Sequence, residues 1–244
     1  MKRELRRQIK QDEFRSGLEV AASWLIEHQK EAKILATVVA VVVVGSVLVS
    51  SWQSQRLGAS ERAFAEALSL FHAPIQGESA ATGESPGAVV YATAEQKYTA
   101  AAAAFDGVER RHGSLPEARW ARYYAALCRI ELGQLDEAEK SLTELAAGPD
   151  PQSLEPSMAR LALAEIDQRR GRVDEAVAAY ERLVDDASAV PRDCALMRLS
   201  EVLEHANRTD EAVRSYRRLY EEFPTSVYAQ GARQRVEYLT GAAI

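Results

Sequence analysis

The chain has 244 residues, a formal net charge of −6, and two cysteines. Its first 33 residues hold eight basic and six acidic side chains and the remainder 22 and 30, so the larger part is strongly acidic. That balance excludes a nucleic-acid binder, which needs a basic face for phosphates, and two cysteines without paired-Cys spacing exclude a disulfide framework or a thiolate metal site.

Residues 1–33 form a basic tail. Phe14, Leu18, Ala22, Leu25 and Ile26 recur at helical spacing, with Arg15, Glu19, Glu27 and Lys30 largely on other faces. This predicts an amphipathic helix, either lying at a membrane interface or docking a cytoplasmic partner.

Residues 34–52, ILATVVAVVVVGSVLVSSW, are nineteen positions without a charge, a proline or an amide side chain. A helix of that length spans roughly 28 Å, close to the hydrocarbon thickness of a bilayer. Lys2, Arg3, Arg6, Arg7, Lys10, Arg15, Lys30 and Lys33 precede it, whereas only Arg56 and Arg62 occur in the next twenty residues. The asymmetry places the tail in the cytoplasm and the rest outside, with Trp24 and Trp52 as interfacial anchors. A cleaved signal peptide is the rival reading, with Val49-Ser50-Ser51 as its cleavage site. The long, mixed-charge region before the apolar run favours a retained anchor. Ala36, Ala40 and Gly45 offer a weak small-residue helix contact within the span.

Residues 53–244 read as one all-helical domain. Residues 73–88, APIQGESAATGESPGA, predict a mobile loop. Predicted helices cover 60–72, 90–111, 116–132, 135–147, 154–170, 173–187, 192–206, 209–222 and 225–240, the last covering the end of the array.

The domain repeats itself. Gly133-Gln-Leu-Asp-Glu-Ala138 recurs as Gly171-Arg-Val-Asp-Glu-Ala176 and as Asn207-Arg-Thr-Asp-Glu-Ala212, with intervals of 38 and 36 residues. Four residues after each alanine stands Leu142, Tyr180 or Tyr216, and Ala101 with Phe105 extends the series backwards. Seven residues before each Gly or Asn stands a small residue: Ala126, Ala164, Ser200. The physics is of paired helices. Gly or Asn closes helix A in a left-handed cap, Asp-Glu opens helix B at its positive end, and the small residue lets the two touch. Such pairs must stack to bury both faces.

This pattern resembles the tetratricopeptide repeat (TPR), whose period is about 34. The resemblance covers residues 60–240 and is strongest from Gly133 to Pro224, which falls at the family's proline position. Pro149, Pro151 and Pro191 depart from it and imply an irregular pitch. The fold implied is an α-solenoid of about four helix pairs with a C-terminal capping helix, and Cys128 and Cys194, two repeats apart, stay unpaired.

A TPR stack presents its A helices on a groove. Counting back 13, 10 and 6 residues from each closing Gly or Asn gives Trp120, Tyr123 and Leu127, then Met158, Leu161 and Glu165, then Cys194, Met197 and Glu201. Arg169, Glu204 and His205 follow further along. Methionine and aromatic linings suit adaptable binding of apolar or helical peptide segments. Core packing explains each of these positions equally well. Arg214, Arg217 and Arg218 are expected to pair with Glu221 and Glu222.

No catalytic, cofactor or metal constellation accompanies the repeats, and no small-molecule substrate is expected. Gly83-Glu84-Ser85-Pro86-Gly87 matches the G-x-S-x-G pattern of serine hydrolases but lies in a loop, away from any strand-to-helix elbow. Asn207-Arg208-Thr209 matches a glycosylation sequon, better explained by its capping turn. His28, His72, His112 and His205 are scattered.

The order of parts, with FRSGLEVAASWLIEHQK before the span and repeats after it, resembles the ancillary, YfgM-type subunit of the SecYEG translocon. That likeness implies a single-pass protein of the bacterial inner membrane with a periplasmic repeat domain. Its implied partners are SecYEG, periplasmic chaperones and emerging polypeptides. An envelope scaffold holding one fixed partner in cell-wall or outer-membrane assembly is the second reading.

Overall fold

A computed structural model describes residues 29–76, 89–148, 154–186 and 191–241. Among the described residues are nine helices and no strand: α1 (Gln29–Phe71), α2 (Ala94–His112), α3 (Pro116–Glu131), α4 (Leu135–Ala146), α5 (Leu154–Arg169), α6 (Val173–Asp185), α7 (Arg192–His205), α8 (Thr209–Glu222) and α9 (Ala229–Thr240). The chain forms two compact units, Met1–Gly58 and Ala59–Ile244. The amphipathic stretch before the span, Trp24, and most of the expected loop, Ser85 included, lie outside the described residues.

In the first unit, α1 leaves Ile34 and the large apolar side chains from Val38 to Trp52 more than half exposed. Three hydroxyls along the apolar run are satisfied by their own helix: Thr37 donates to the Lys33 carbonyl (2.8 Å), Ser46 to Val43 (2.8 Å) and Ser50 to Val47 (3.1 Å). A helix surrounded by hydrocarbon must satisfy its polar groups in this way. Among the described residues, this is the one helix long and apolar enough to cross a membrane. One turn past the apolar run, the Arg56 guanidinium lies 4.7 Å from the centre of the Trp52 ring.

In the second unit the repeat arithmetic becomes geometry. Gly133, Gly171 and Asn207 all have positive φ, at 74°, 76° and 60°. The N–H groups of these three residues donate to Ile130, Gln168 and Glu204, and those of the next residues donate five positions back, to Arg129, Asp167 and Leu203. This is the Schellman pattern, three times over. Asp136-Glu137, Asp174-Glu175 and Asp210-Glu211 then occupy the first turns of α4, α6 and α8, where carboxylates meet the positive helix end.

The predicted seam residues are buried. Ala138, Ala176 and Ala212 are fully enclosed, as are Leu142, Tyr180 and Tyr216 to within 2%. Ala126, Ala164 and Ser200 are likewise buried where paired helices meet, and the Ser200 hydroxyl donates to the Leu196 carbonyl at 2.7 Å. The core falls into three clusters. Ala67, Ala101, Phe105, Ala121, Ala125 and Cys128 belong to the first. Tyr123, Ala126, Ile130, Leu142 and Ile166 belong to the second, and the third runs from Leu161 to Val236. Helices α3 and α5 each contribute to two clusters.

Three helix starts differ from the prediction, the first because the helix expected from residue 60 is the continuation of α1, which runs unbroken from Gln29 to Phe71. Helix α2 begins at Ala94, because Thr93 caps it by accepting from the Gln96 N–H at 3.2 Å. The residues before it are extended: Gln76 N–H donates to the Tyr91 carbonyl (2.8 Å) and Tyr91 N–H to Pro74 (3.1 Å), closing the base of the segment 77–88. Helix α9 begins at Ala229 instead of 225, because Ser226 is engaged in a turn, its hydroxyl donating to Asp193 at 2.7 Å.

Candidate protein-binding face

The three A helices α3, α5 and α7 carry the predicted groove row, and the row divides into buried and open positions. Tyr123 and Leu161 are core residues, 6% and 8% exposed. Trp120, Leu127, Met158, Cys194 and Met197 are only partly buried and pack against the second and third clusters, Met158 touching both. Trp120 meets the Tyr123 ring edge-on at 5.8 Å, and Tyr123 meets Tyr124 at 5.4 Å. Tyr124 in turn stacks on Phe105 at 5.3 Å and contacts Phe64 and Phe71. The aromatic start of the row is thus the rim of an internal aromatic cluster.

The charged positions form fixed pairs. Arg169 bonds Glu165 (2.9 Å) and also Glu131 at the end of α3. Arg198 bonds Glu201 at 3.1 Å, and the Glu201 carbonyl contacts His205 Nδ1 at 2.7 Å. Burial pushes the Tyr123 hydroxyl well above its ordinary value, and Tyr124, Cys194 and Glu165 add to the shift while Arg198 opposes it. Helices α3, α5 and α7 therefore bring Tyr123, Glu165, Cys194 and Arg198 into one electrostatic neighbourhood. Sequence reasoning missed Arg198; standing four residues after Cys194, it was one helical turn from a chosen position.

The row also continues into α9. Gly241 closes α9 with φ 68°, 34 residues after Asn207, and its N–H donates three residues back to Tyr238. Counting back from it puts Tyr228 level with Trp120, Met158 and Cys194. The Tyr228 hydroxyl indeed sits against the Cys194 thiol, and Arg235 bonds Glu204. The series hid because no Asp-Glu-Ala follows Gly241.

Elsewhere, a cleft of about 360 Å³ opens between Glu109, Arg119, Arg122, Glu144, Leu145 and Pro156. Its arginines are already bound: Arg119 to Glu155 at 3.3 Å, Arg122 to Glu109 at 2.6 Å and to Glu144 at 3.2 Å. Among the expected arginine pairs, Arg218 reaches Glu222 and also Asp185 on the preceding B helix.

Stacked helix pairs closed by left-handed caps, with a half-open row of apolar side chains along the A helices, define a repeat scaffold for holding other polypeptides. The tetratricopeptide repeat family profile matches residues 89–153 and 161–227, more than half of the chain. The chain belongs to the tetratricopeptide repeat family. Among solved structures, it is similar to kinesin light chain TPR-like repeats from Podosopora anserina, at 17% identity over 61% of this chain and 82% of that one, with a TM-score of 0.47. A tetratricopeptide repeat protein from Parabacteroides merdae is 16% identical over 61% of this chain and 56% of its own, with a TM-score of 0.43. A chain in the structure of Naa15/Naa10 bound to HypK-THB is 21% identical over 60% of this chain and 22% of its own, also at 0.43. No curated protein matches the sequence.

Proposed function

We propose that this is a non-enzymatic, single-pass protein of the bacterial inner membrane, its tail cytoplasmic and its repeat domain periplasmic. It works beside the SecYEG translocon and passes emerging polypeptides to periplasmic chaperones. The Lys and Arg bias across the apolar run supports the orientation. The observation that carries the reading is the half-open row of Trp120, Leu127, Met158 and Met197. Unbranched, polarizable side chains at such a surface adapt to many apolar segments without a fixed geometry.

The second reading, an envelope scaffold with one partner, is favoured by the paired charges along the same row. Arg169 with Glu131 and Glu165, and Arg198 with Glu201, form a preset pattern that a single partner could match. A photoreactive residue at Met158, crosslinked in intact membranes with mass-spectrometric identification, separates them. Translocon subunits, chaperones and many nascent chains together support the secretion role. One recurring cell-wall or outer-membrane protein supports the scaffold, and no adduct at all rejects the groove.

A further inference from the structure

Arg56 is the one charged residue between Lys33 and Glu61. It follows Trp52 by one helical turn, and Cα–Cβ bonds tilt toward a helix's N-terminus, so its side chain leans back over the indole. There the guanidinium lies 4.7 Å from the ring centre. Among the described residues, no carboxylate lies within ion-pair distance of Arg56 and no oxygen accepts a hydrogen bond from it. A guanidinium carries five N–H donors in one plane, and an aromatic ring does not take them up as an oxygen does.

Depth says what meets those donors. The hydrocarbon core of a bilayer is about 30 Å thick and the whole about 40–45 Å, so each polar layer is roughly 5–8 Å deep. With Trp52 at the boundary, the Arg56 backbone stands about 6 Å further out, within that layer. The acceptor that fills this layer is the phosphodiester of a lipid headgroup, which a guanidinium binds through two parallel hydrogen bonds. Inward from the pair, Val49, Leu48 and Gly45 continue the same helix face, three, four and seven residues before Trp52. Leu48 and Val49 are 64% and 54% exposed, and a Cβ on Gly45 would meet nothing within 4 Å. That stripe runs about 10 Å inward from Trp52, inside one leaflet.

Net charge selects among lipids. A zwitterionic headgroup carries its own cation beside the phosphate, whereas an anionic one leaves the phosphate charge for Arg56. An interfacial tryptophan alone fixes depth and makes no such choice.

We propose that Trp52 and Arg56 form a binding site for an anionic phospholipid, its phosphate on the Arg56 guanidinium and an acyl chain along Val49, Leu48 and Gly45. The inference rests on α1 spanning a bilayer, as in the reading above.

The test keeps the full chain, with Trp24→Phe and Trp120→Phe leaving Trp52 as its one tryptophan. The protein is placed in phosphatidylcholine vesicles holding a minority of phosphatidylglycerol, with brominated acyl chains on either lipid in turn. Quenching of Trp52 by each lipid, per mole fraction, gives its local enrichment. Phosphatidylglycerol is expected to be enriched about fivefold at Trp52, and less as salt rises. Arg56→Gln should remove the enrichment with helix content unchanged. Arg56→Lys, which keeps the charge but not the planar fork, should lose at least about half of it. Strong quenching by both lipids without preference overturns the proposal and leaves the membrane reading standing, whereas quenching by neither overturns both. Enrichment that survives Arg56→Gln places the selectivity elsewhere, and enrichment unchanged in Arg56→Lys reduces it to charge alone; either overturns the site. Enrichment abolished by inorganic phosphate, but not by sodium chloride of equal ionic strength, makes the ligand a free phosphate and overturns it too.

Discussion

Replacing Gly171 by alanine isolates the energy of one left-handed cap. Its φ is 76°, and a Cβ built there meets nothing within 4 Å, so packing contributes nothing to the cost. What remains is the left-handed conformation of an L-residue, about 1–2 kcal/mol, against a gain of about 0.4–1 kcal/mol from a stiffer unfolded chain. The net is a loss of about 1 kcal/mol, or roughly 2–4 °C in midpoint for a domain of this size. Gly171→Asn should lose less, since asparagine tolerates this region and the protein itself uses it at Asn207, φ 60°. Gly231→Ala is the internal control: the same atom added at an ordinary helical φ should stabilise, by up to about 1 kcal/mol. Urea titration of the full chain in detergent, followed by circular dichroism, reads all three. Alanine and asparagine being equal at 171, or both glycines responding with the same sign, would refute the cap argument.

Further outcomes follow from named contacts. Ala164→Leu should force α5 from α6 and destabilise by about 1–3 kcal/mol in the same titration, with a lowered midpoint and unchanged slope. Arg235→Gln should cost at most about 1 kcal/mol at neutral pH, because the pair with Glu204 is partly solvated. The Arg235 hydrogen bond holds the Glu204 carboxyl below its ordinary value. Its contribution is therefore present above the ordinary glutamate range and lost as pH falls through the depressed value, so mutant and wild type should converge in acid melts. Cys128 is enclosed, and burial pushes its thiol up to about 12. Burial raises the Cys194 thiol too, but that side chain is only partly buried, so a disulfide reagent at pH 8 should label Cys194 slowly and Cys128 only once denaturant is added.

The repeat was legible because its signals are local. A left-handed turn needs Gly or Asn, a helix start favours Asp-Glu, and a close helix contact needs Ala or Ser, so each residue type reports its own geometry. The binding row was less legible. Tyr123 and Leu161 stand at the same spacing as Met158 and Met197, yet whether a side chain is buried depends on neighbouring helices, which spacing does not contain. Phe64 and Phe71, brought by α1 against Tyr124, illustrate that dependence. The start of α9 was misplaced for a similar reason: Thr225 and Ser226 resemble helix caps, but Ser226 is tied to Asp193, 33 residues away in sequence.

The division of the interior into three clusters, with α3 and α5 the helices that contribute to two of them among the described residues, also governs how damage spreads. A globular domain with one nucleus fails as a whole. Here, a lesion beside Phe105 reaches the residues around Tyr216 by way of α3, α5, α6 and α7, and weakens at each. Amide exchange should accordingly show tiers, with the segment from α6 to α8 the slowest and both ends opening on their own. Such a molecule can yield at one end to accommodate a protein partner while the other keeps its shape.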